Sequence, residues 1–579
     1  KLALILFALI VNLLIYGYEY GANSFHSQDL PFIHKLLDPS LYQGDLYVQT
    51  IDSFPSLYIY SIALLAKIFS LADIHFILFL GVKFLLLLFV YKLASFLFES
   101  EITPLLAVFI CAGSPLMNSF GILSDVPFMK SFLYHGSFIA PLFILFIILF
   151  LKERFFMSLS LLAFSYYFNA LMSTHLAFML FVASVIQYKS FDKSDLKKRL
   201  IQGWIAFLLI LLPFAIFNLS KMSSAVASPK AFEYFEMWFP GHYFLLSWNL
   251  QKLLRVVGYI LIFAFAIKTR ISYCTSQKNI KAFCFAIVLM WVLAFIFGDL
   301  LHWRLGIVMQ FFRSDVFLML FALIFAADFI QEAIVSKKIE RLIIAGLLIY
   351  SLVSLKVYSF PSRLFLIAVG IIAIFYITRE LKNYLIKINE SDTILNTSKR
   401  IYLVILICII FASHFTTILV RLAEKKLTYQ FPVKESWLQS QIWARDNTDK
   451  GASFVVPPYM NGFRSFSQRS VFVDRLDLAA MHWKAGIEIE WDNRIKELGY
   501  KNKNFVGLKV ENLNEPLTMK SREIYASNKE KDFIRLSKKY DLDYIVTENS
   551  HMLNFPLLYQ NEHFSIYKIL LVITDFGEG

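Results

Sequence analysis

The sequence predicts a polytopic α-helical membrane protein of about 13 spans, at the ~20 residues each crossing needs, closed by a C-terminal extracytoplasmic α/β domain. Three observations carry that expectation. Of 579 residues, 58% are hydrophobic and 17% charged, with a mean hydropathy of +0.59, far too apolar for a chain whose main solvent is water. Apolar runs long enough to cross a bilayer recur along most of the chain. From about Thr428 those runs stop, and charges, Asn and aromatics mix at the density of a soluble domain.

The expected spans lie near 1–18, 75–92, 102–118, 135–151, 155–168, 173–187, 200–219, 251–268, 280–298, 305–330, 342–358, 361–378 and 400–420. The first run resembles a signal peptide but lacks a small-residue cleavage site and leads straight into an acidic stretch, which favours an uncleaved span. Lys/Arg clusters recur at Lys152–Arg154, Lys189–Arg199, Lys268–Lys281, Lys337–Arg341 and Arg379–Arg400, and the positive-inside rule puts all of them in the cytoplasm. An even number of expected spans separates each successive pair. Segment 55–72 breaks this parity if counted as a crossing, so it is read as an interfacial or re-entrant helix. The tail then falls on the same side as the first outer loop, residues 19–54. Two domains result: 1–427 in the membrane and 428–579 outside it.

Within the tail, helices are expected at Val433–Arg445, 478–498 and 529–540, and strands at Ser453–Val456, Ser470–Asp474, Asp543–Thr547 and Phe564–Ile569. Alternating helix and apolar strand at this length suggests a small α/β domain.

Composition excludes several functions. The net charge of +13 sits in short clusters between apolar runs, so it reports topology and contact with anionic lipid headgroups, and no nucleic-acid partner is expected. Four cysteines, Cys111, Cys274, Cys284 and Cys408, form no CxxC pair; neither a zinc site nor a disulfide framework is indicated.

The chemistry-bearing residues begin with the stretch Glu19–Thr50, which holds Glu19, His26, Asp29, His34, Asp38 and Asp45 between hydrophobic flanks. One reading is a solvated loop whose Asp-Pro-Ser and Gln-Gly-Asp are turn chemistry. The other is a loop that folds over a polar cavity and offers Asp29 or Asp45 as a general base. A late span, VMQFFRSDVFLML, carries Gln310, Arg313 and Asp315, with Asp299, His302 and Arg304 just before it. Charged groups there are expected to face a cavity or a partner. Arg313 either pairs with Asp315 or another acid, or grips a phosphate with two parallel hydrogen bonds. His135 and His175 read as packing partners between helices, or as ligands. Asp29, Asp38 and Asp45 form no DxD, so a site for Mg²⁺ or Mn²⁺ would need acids from more than one loop. The outer loop 119–134 carries Asp125; the loop 220–250, with Trp238, His242, Tyr243 and Trp248, reads as an aromatic belt or a lipid-contacting flap. In the tail, Arg464, Arg469, Arg475 and Asp474 are expected on a solvated face, or turned toward an acidic or phosphorylated ligand.

The layout, with HSQDLPFIHKLLDPSLYQGDLY in the first loop, VMQFFRS in a late span and WARDNTDKGASFVVPPYMNGFRSFSQRSVFVD in the tail, resembles the GT-C superfamily of polyprenyl-phosphate-dependent glycosyltransferases. That resemblance implies a multi-span enzyme of the bacterial inner membrane. It would transfer a sugar with inversion from a polyprenyl-phosphate donor to an extracytoplasmic acceptor. It also implies a first-loop aspartate as base, here Asp29 or Asp45. The expected substrate contacts are Arg313, Gln310, His26, His175, Glu19 and Arg304. The chain has no adjacent Asp-Glu pair and no second-loop DxD, which leaves metal dependence open. A transporter or flippase of a lipid-linked or amphipathic solute, or a non-catalytic membrane scaffold, would use the same polar residues without chemistry. The oligomeric state is not encoded in any of these features.

Overall fold

The structure, a computed structural model, describes residues 1–21, 26–54, 56–119, 121–124, 126–188, 194–222, 231–238, 240–336, 338–354, 361–385, 414, 417–419, 432–501 and 516–570. Six helices are long and apolar enough to cross a membrane: Leu71–Leu97, Phe155–Tyr188, Ser194–Asn218, Leu250–Tyr273, Gln277–Leu300 and Arg304–Ser336. Shorter apolar helices occupy Leu2–Tyr16, Thr103–Gly113, His135–Leu151 and Arg363–Tyr376. The expected span at 400–420 lies almost wholly outside the described residues, as does Asp125. The helix Leu57–Leu65, capped by Ser56, has nine residues, about 14 Å of rise, and cannot cross a ~30 Å hydrocarbon layer.

The chain forms two compact units. One comprises Lys1–Tyr18, Phe76–Pro213 and Gly241–Leu427; the other comprises Glu19–His75, Phe214–Pro240 and Thr428–Gly579. The first polar stretch and the segment before Pro240 therefore fold with the tail.

In the first unit, two expected spans, 155–168 and 173–187, form one helical stretch broken at Asn169, whose φ of −150° and ψ of 87° are not helical. The Ser165 and Ser173 hydroxyls stand 2.6 Å apart; eight residues of straight helix would hold them about 12 Å apart. The Asn169 side chain accepts the Met172 N–H at 3.1 Å, which caps the second half. The neighbouring helix, Ser194–Met222, reads out the fold-back. Gly203 lies so close to Phe155 that a Cβ would come within 3.1 Å of its backbone, while Trp204 donates to Ser184 at 3.1 Å. Farther along, Tyr167 donates to the Ile210 carbonyl at 3.0 Å. Phe155 and Ser184 thus share one level and Asn169 turns at the other: the stretch is a helical hairpin, with its two basic flanks at the same end.

The clusters Lys268–Lys281 and Lys337–Arg341 join them, Arg379–Arg400 lying mostly outside the described residues. Lys152 sits 5.7 Å from the Phe96 ring, and Thr275 donates to the Phe96 carbonyl at 2.6 Å. Arg270 pairs with Asp328 at 2.6 Å, Asp328 accepts Thr103 at 3.0 Å, and Glu332 accepts Arg341. From Arg270 the helix Leu250–Arg270 runs 21 residues, about 31 Å, to the far end of the unit.

The second unit carries a five-stranded sheet: β1 (Ser453–Val455), β2 (Ser470–Val471), β3 (Tyr544–Glu548), β4 (Leu557–Gln560) and β5 (Phe564–Lys568), in the order β2-β1-β3-β5-β4. β1 is parallel to both β2 and β3, whereas β5 is antiparallel to β3 and β4. β2 stops short of its expected end because Asp474 turns out of the strand to cap the 3₁₀ helix Arg475–His482. β4 escaped the sequence reading: it is an edge strand without apolar alternation, its Leu557 and Leu558 exposed. The loop 220–250 contains the helix Ala231–Trp238. Tyr234 and Phe235 are fully buried, their rings 6.0 Å from Trp491 and 5.6 Å from His482.

Cysteines introduced at Glu153, Lys278 and Lys338, in a background without the native cysteines, should all react with an impermeant maleimide from one face of the membrane. Labelling from opposite faces would contradict the shared basic end.

Candidate functional site

At the end of the first unit opposite the basic clusters, the chain between residues 296 and 315 is irregular. The helix Gln277–Phe295 gives way to a π turn, Ile296–Leu300, a form that recurs at functional sites. A short helix, Arg304–Val308, follows. Gln310 then adopts the left-handed conformation, φ 45° and ψ 48°, before the 3₁₀ turn Phe311–Ser314 and the helix starting at Asp315. The span expected over 305–330 is therefore interrupted. A left-handed residue other than Gly, Asn or Asp costs roughly 1–2 kcal/mol, strain that persists only where the surroundings impose it.

The acids around this break are satisfied by backbone. Asp315 accepts the Ile122 and Leu123 N–H groups at 3.0 and 2.7 Å and the Ser124 hydroxyl at 3.3 Å. Asp299 accepts the Leu245 and Leu246 N–H groups at 2.8 and 3.0 Å. Asp315 is held by its backbone donors and makes no direct ion pair with Arg313 among the described residues, although its charge acts on that guanidinium. Among the buried polar atoms of the described residues without a hydrogen-bond partner are Arg313 Nε, Gln310 Oε1 and His175 Nδ1. They belong to one locality, because His175 Nε2 meets the Met309 carbonyl at 2.7 Å and its ring lies 5.9 Å from Phe311. His175 is completely buried and Gln310 is 7% exposed. An unpaired buried polar atom costs about 1–3 kcal/mol, so three together mark a place suited to a polar, anionic ligand.

The second unit treats its charges differently. Arg464, 3% exposed, donates through Nε to Asp45 at 2.6 Å and through Nη1 to Asp477 at 2.7 Å, with Asp474 3.7 Å away. Asp45 also accepts the Tyr47, Val48 and Val471 N–H groups at 3.0, 3.0 and 2.8 Å. Both its oxygens are occupied, the geometry of a structural latch and a poor one for a base that must take a substrate proton. The solvated face expected for the tail arginines is overturned: Arg464, Arg469 and Arg475 are each at most 4% exposed. Arg469 donates to the Arg445 and Thr448 carbonyls at 2.7 and 2.5 Å. Burial, with Asp474 and Asp45 as like-charged neighbours and Arg464 opposing them, pushes Asp477 up to about 7. Burial likewise raises Asp474.

The first stretch packs onto this cluster. Tyr42 donates to the Arg464 carbonyl at 2.9 Å and is 3.3 Å from His34 Nδ1; burial, then the His75 and Arg445 charges, lowers His34 to about 4. Ser470 donates to the Gln43 carbonyl and Trp483 to Thr50, at 2.9 and 3.0 Å. Gly462, at φ +81°, sits against Ser27, whose Oγ lies 2.5 Å from where a Cβ would be. His26 is fully buried, its Nδ1 accepting the Gly21 N–H at 2.8 Å. Asp29, also fully buried, lies in the first turn of the helix His26–Leu37. Glu19 is half-buried at the start of this unit, and Arg304 opens its short helix in the other. The structure thus brings Arg313, Gln310 and His175 together in the first unit, and places Asp29, Asp45, His26 and Glu19 in the second. No signal in the sequence marked Asp477 as a partner of Arg464. Among the described residues no group of three or more His, Cys, Asp or Glu side chains could hold a metal ion. The three carboxylates that do converge surround Arg464, a donor set unsuited to Mg²⁺ or Mn²⁺.

A protein-family profile described as a domain of unknown function (DUF6798) matches residues 435–498. No curated protein matches the chain. Among solved structures, the oligosaccharyltransferase AglB of Archaeoglobus fulgidus, in complex with an inhibitory peptide and a dolichol-phosphate, is 12% identical. That match covers 94% of this chain and 69% of that one, with a TM-score of 0.38. The same organism's oligosaccharyltransferase tethered to an acceptor peptide gives 11% identity, the same coverages and a TM-score of 0.44. Arabinofuranosyltransferase AftD from Mycobacteria gives 12% identity over 98% of this chain and 39% of that one, with a TM-score of 0.42. Likeness at this level bears on neither activity nor residue roles.

Asp45→Ala should destabilise the second unit by about 3–5 kcal/mol, because it removes one carboxylate from a buried ion cluster and leaves Arg464 Nε and three backbone N–H groups without their acceptor; thermal unfolding of the purified chain measures this. A second expectation concerns pH. An unfolded aspartate titrates near ~4, and the folded Asp477 at about 7, so the folded state binds the extra proton between those values. Its contribution is complete below the lower value and is lost as pH rises through the upper one. The melting temperature should therefore fall between about pH 4 and about pH 7 and level off above that, and Asp477→Asn should flatten the fall.

Proposed function

We propose that the chain is a GT-C-type membrane glycosyltransferase that takes a sugar from a polyprenyl-phosphate donor at the outer face of a bacterial inner membrane. The observation that carries this reading is the set of unpartnered polar atoms on Arg313, Gln310 and His175 within an apolar helical unit. A guanidinium held there with its Nε unbonded is suited to a phosphate carried in by a lipid. The acidic first stretch and the motifs in the late span and the tail, which resemble that superfamily, support the same reading.

In this reading Arg313 stabilises the charge that develops on the leaving phosphate; preorganised positive charge of this kind contributes several kcal/mol to lowering a barrier. Asp29 accepts the proton of the acceptor hydroxyl or amide. The acceptor atom bonds to the anomeric carbon as the bond from that carbon to the phosphate oxygen breaks, and a single displacement inverts the configuration. Asp45 is assigned to the latch with Arg464, and its loss acts on folding.

Asp29→Asn and Arg313→Ala should each abolish sugar transfer from a labelled polyprenyl-phosphate sugar while leaving expression and melting temperature intact. Turnover retained in both variants refutes the assignment, and vectorial movement of the lipid without turnover marks a flippase.

A further inference from the structure

The unpartnered atoms at residues 309–313 differ in kind, and the difference specifies a ligand. His175 Nε2 faces a backbone carbonyl oxygen at 2.7 Å, and a carbonyl can only accept, so Nε2 carries the hydrogen. A second positive charge beside Arg313 in a buried site is costly, which leaves the ring neutral and Nδ1 with an exposed lone pair. Gln310 Oε1 is likewise an acceptor without a donor. These three residues therefore offer a cation that seeks an anion and two acceptors that seek hydrogens. A bare phosphate at neutral pH satisfies the first and is repelled by the other two.

Resting on the glycosyltransferase reading, we propose that this site recognises the sugar phosphate as one unit. Arg313 takes the phosphate, and Gln310 Oε1 and His175 Nδ1 accept hydrogens from hydroxyl groups of the attached sugar. The left-handed backbone at Gln310 is what turns its amide out of the helical path. The preference for a sugar-bearing over a sugar-free lipid phosphate then resides in two neutral acceptors, separately from the charge that anchors the lipid. Sites that hydrogen-bond a substrate hydroxyl discriminate strongly against analogues lacking it, because their own polar atoms stay unpaired.

The test uses the purified full chain in nanodiscs. Its probes are farnesyl phosphate and farnesyl phosphates carrying glucose, galactose, mannose, arabinose or N-acetylglucosamine. The wild type should bind at least one sugar-bearing lipid about tenfold tighter than farnesyl phosphate, the usual effect of pairing a buried acceptor. His175→Phe and Gln310→Asn should each bring that preference to within about twofold, because the sugar-bearing lipid loses an acceptor while the bare phosphate loses a repulsion. Gln310→Asn is the decisive variant if His175→Phe does not fold, because Asn tolerates the left-handed conformation and withdraws the amide oxygen by one methylene. Equal binding of sugar-bearing and sugar-free lipids by the wild type, or a full preference retained in Gln310→Asn, overturns the proposal. Arg313→Gln with unchanged farnesyl phosphate affinity overturns the phosphate reading instead.

Discussion

One buried guanidinium joins parts of the chain 419 residues apart: Arg464 of the tail holds Asp45 of the first polar stretch. The interaction is not optional for either partner. Asp45 without Arg464, or Arg464 without its carboxylates, would be a charge with no water to solvate it, and removing one member of such a pair is far costlier than replacing both. Asp474 and Asp477 close the other side of the guanidinium, so the first stretch and the tail fold as one unit. The surrounding fit is the consequence: Tyr42 on the Arg464 carbonyl, Ser470 on Gln43, Trp483 on Thr50.

The apolar unit follows a different rule. At its basic end, Arg270, Arg341, Asp328, Glu332 and Thr103 form a connected set in which each charge has a partner. At its other end Asp299 and Asp315 accept from backbone N–H groups, and Arg313 Nε beside them has no hydrogen-bond partner. A helical bundle that satisfies its acids locally while stranding an arginine, an amide oxygen and an imidazole nitrogen has not been optimised for stability at that spot. The break at Gln310 belongs to the same compromise, because an uninterrupted helix would have been cheaper than a left-handed glutamine.

Periodicity and composition made much of this legible. Two apolar runs separated at Asn169 proved to be two arms of a hairpin, since an Asn between runs can end one helix and cap the next. The basic clusters foretold a shared end, and the change of composition near Thr428 located the sheet. What sequence could not supply was partnership at a distance. Arg464, Arg469 and Arg475 read as a solvated face because a charge run gives no hint of carboxylates or carbonyls that only folding brings to it. Nor did the sequence mark Tyr234 and Phe235, which are buried with their rings near Trp491 and His482. A left-handed glutamine and an edge strand without alternation leave no trace in hydrophobic pattern at all.

The density of acids in the first stretch therefore proved a weaker guide to chemistry than the state of each group's lone pairs. Asp45 accepts from two backbone amides of its own loop, from Val471 and from Arg464, and a carboxylate committed to four donors has none to spare for a substrate. Asp299, Asp315, Asp328 and Asp477 are spoken for in the same sense. Sorting polar groups by whether the fold already uses them moves attention from the acid-rich loop to the short irregular turn that carries Gln310 and Arg313. That turn is where binding energy is still available, because a ligand that supplies an anion and hydroxyl hydrogens relieves three desolvation penalties that folding left in place.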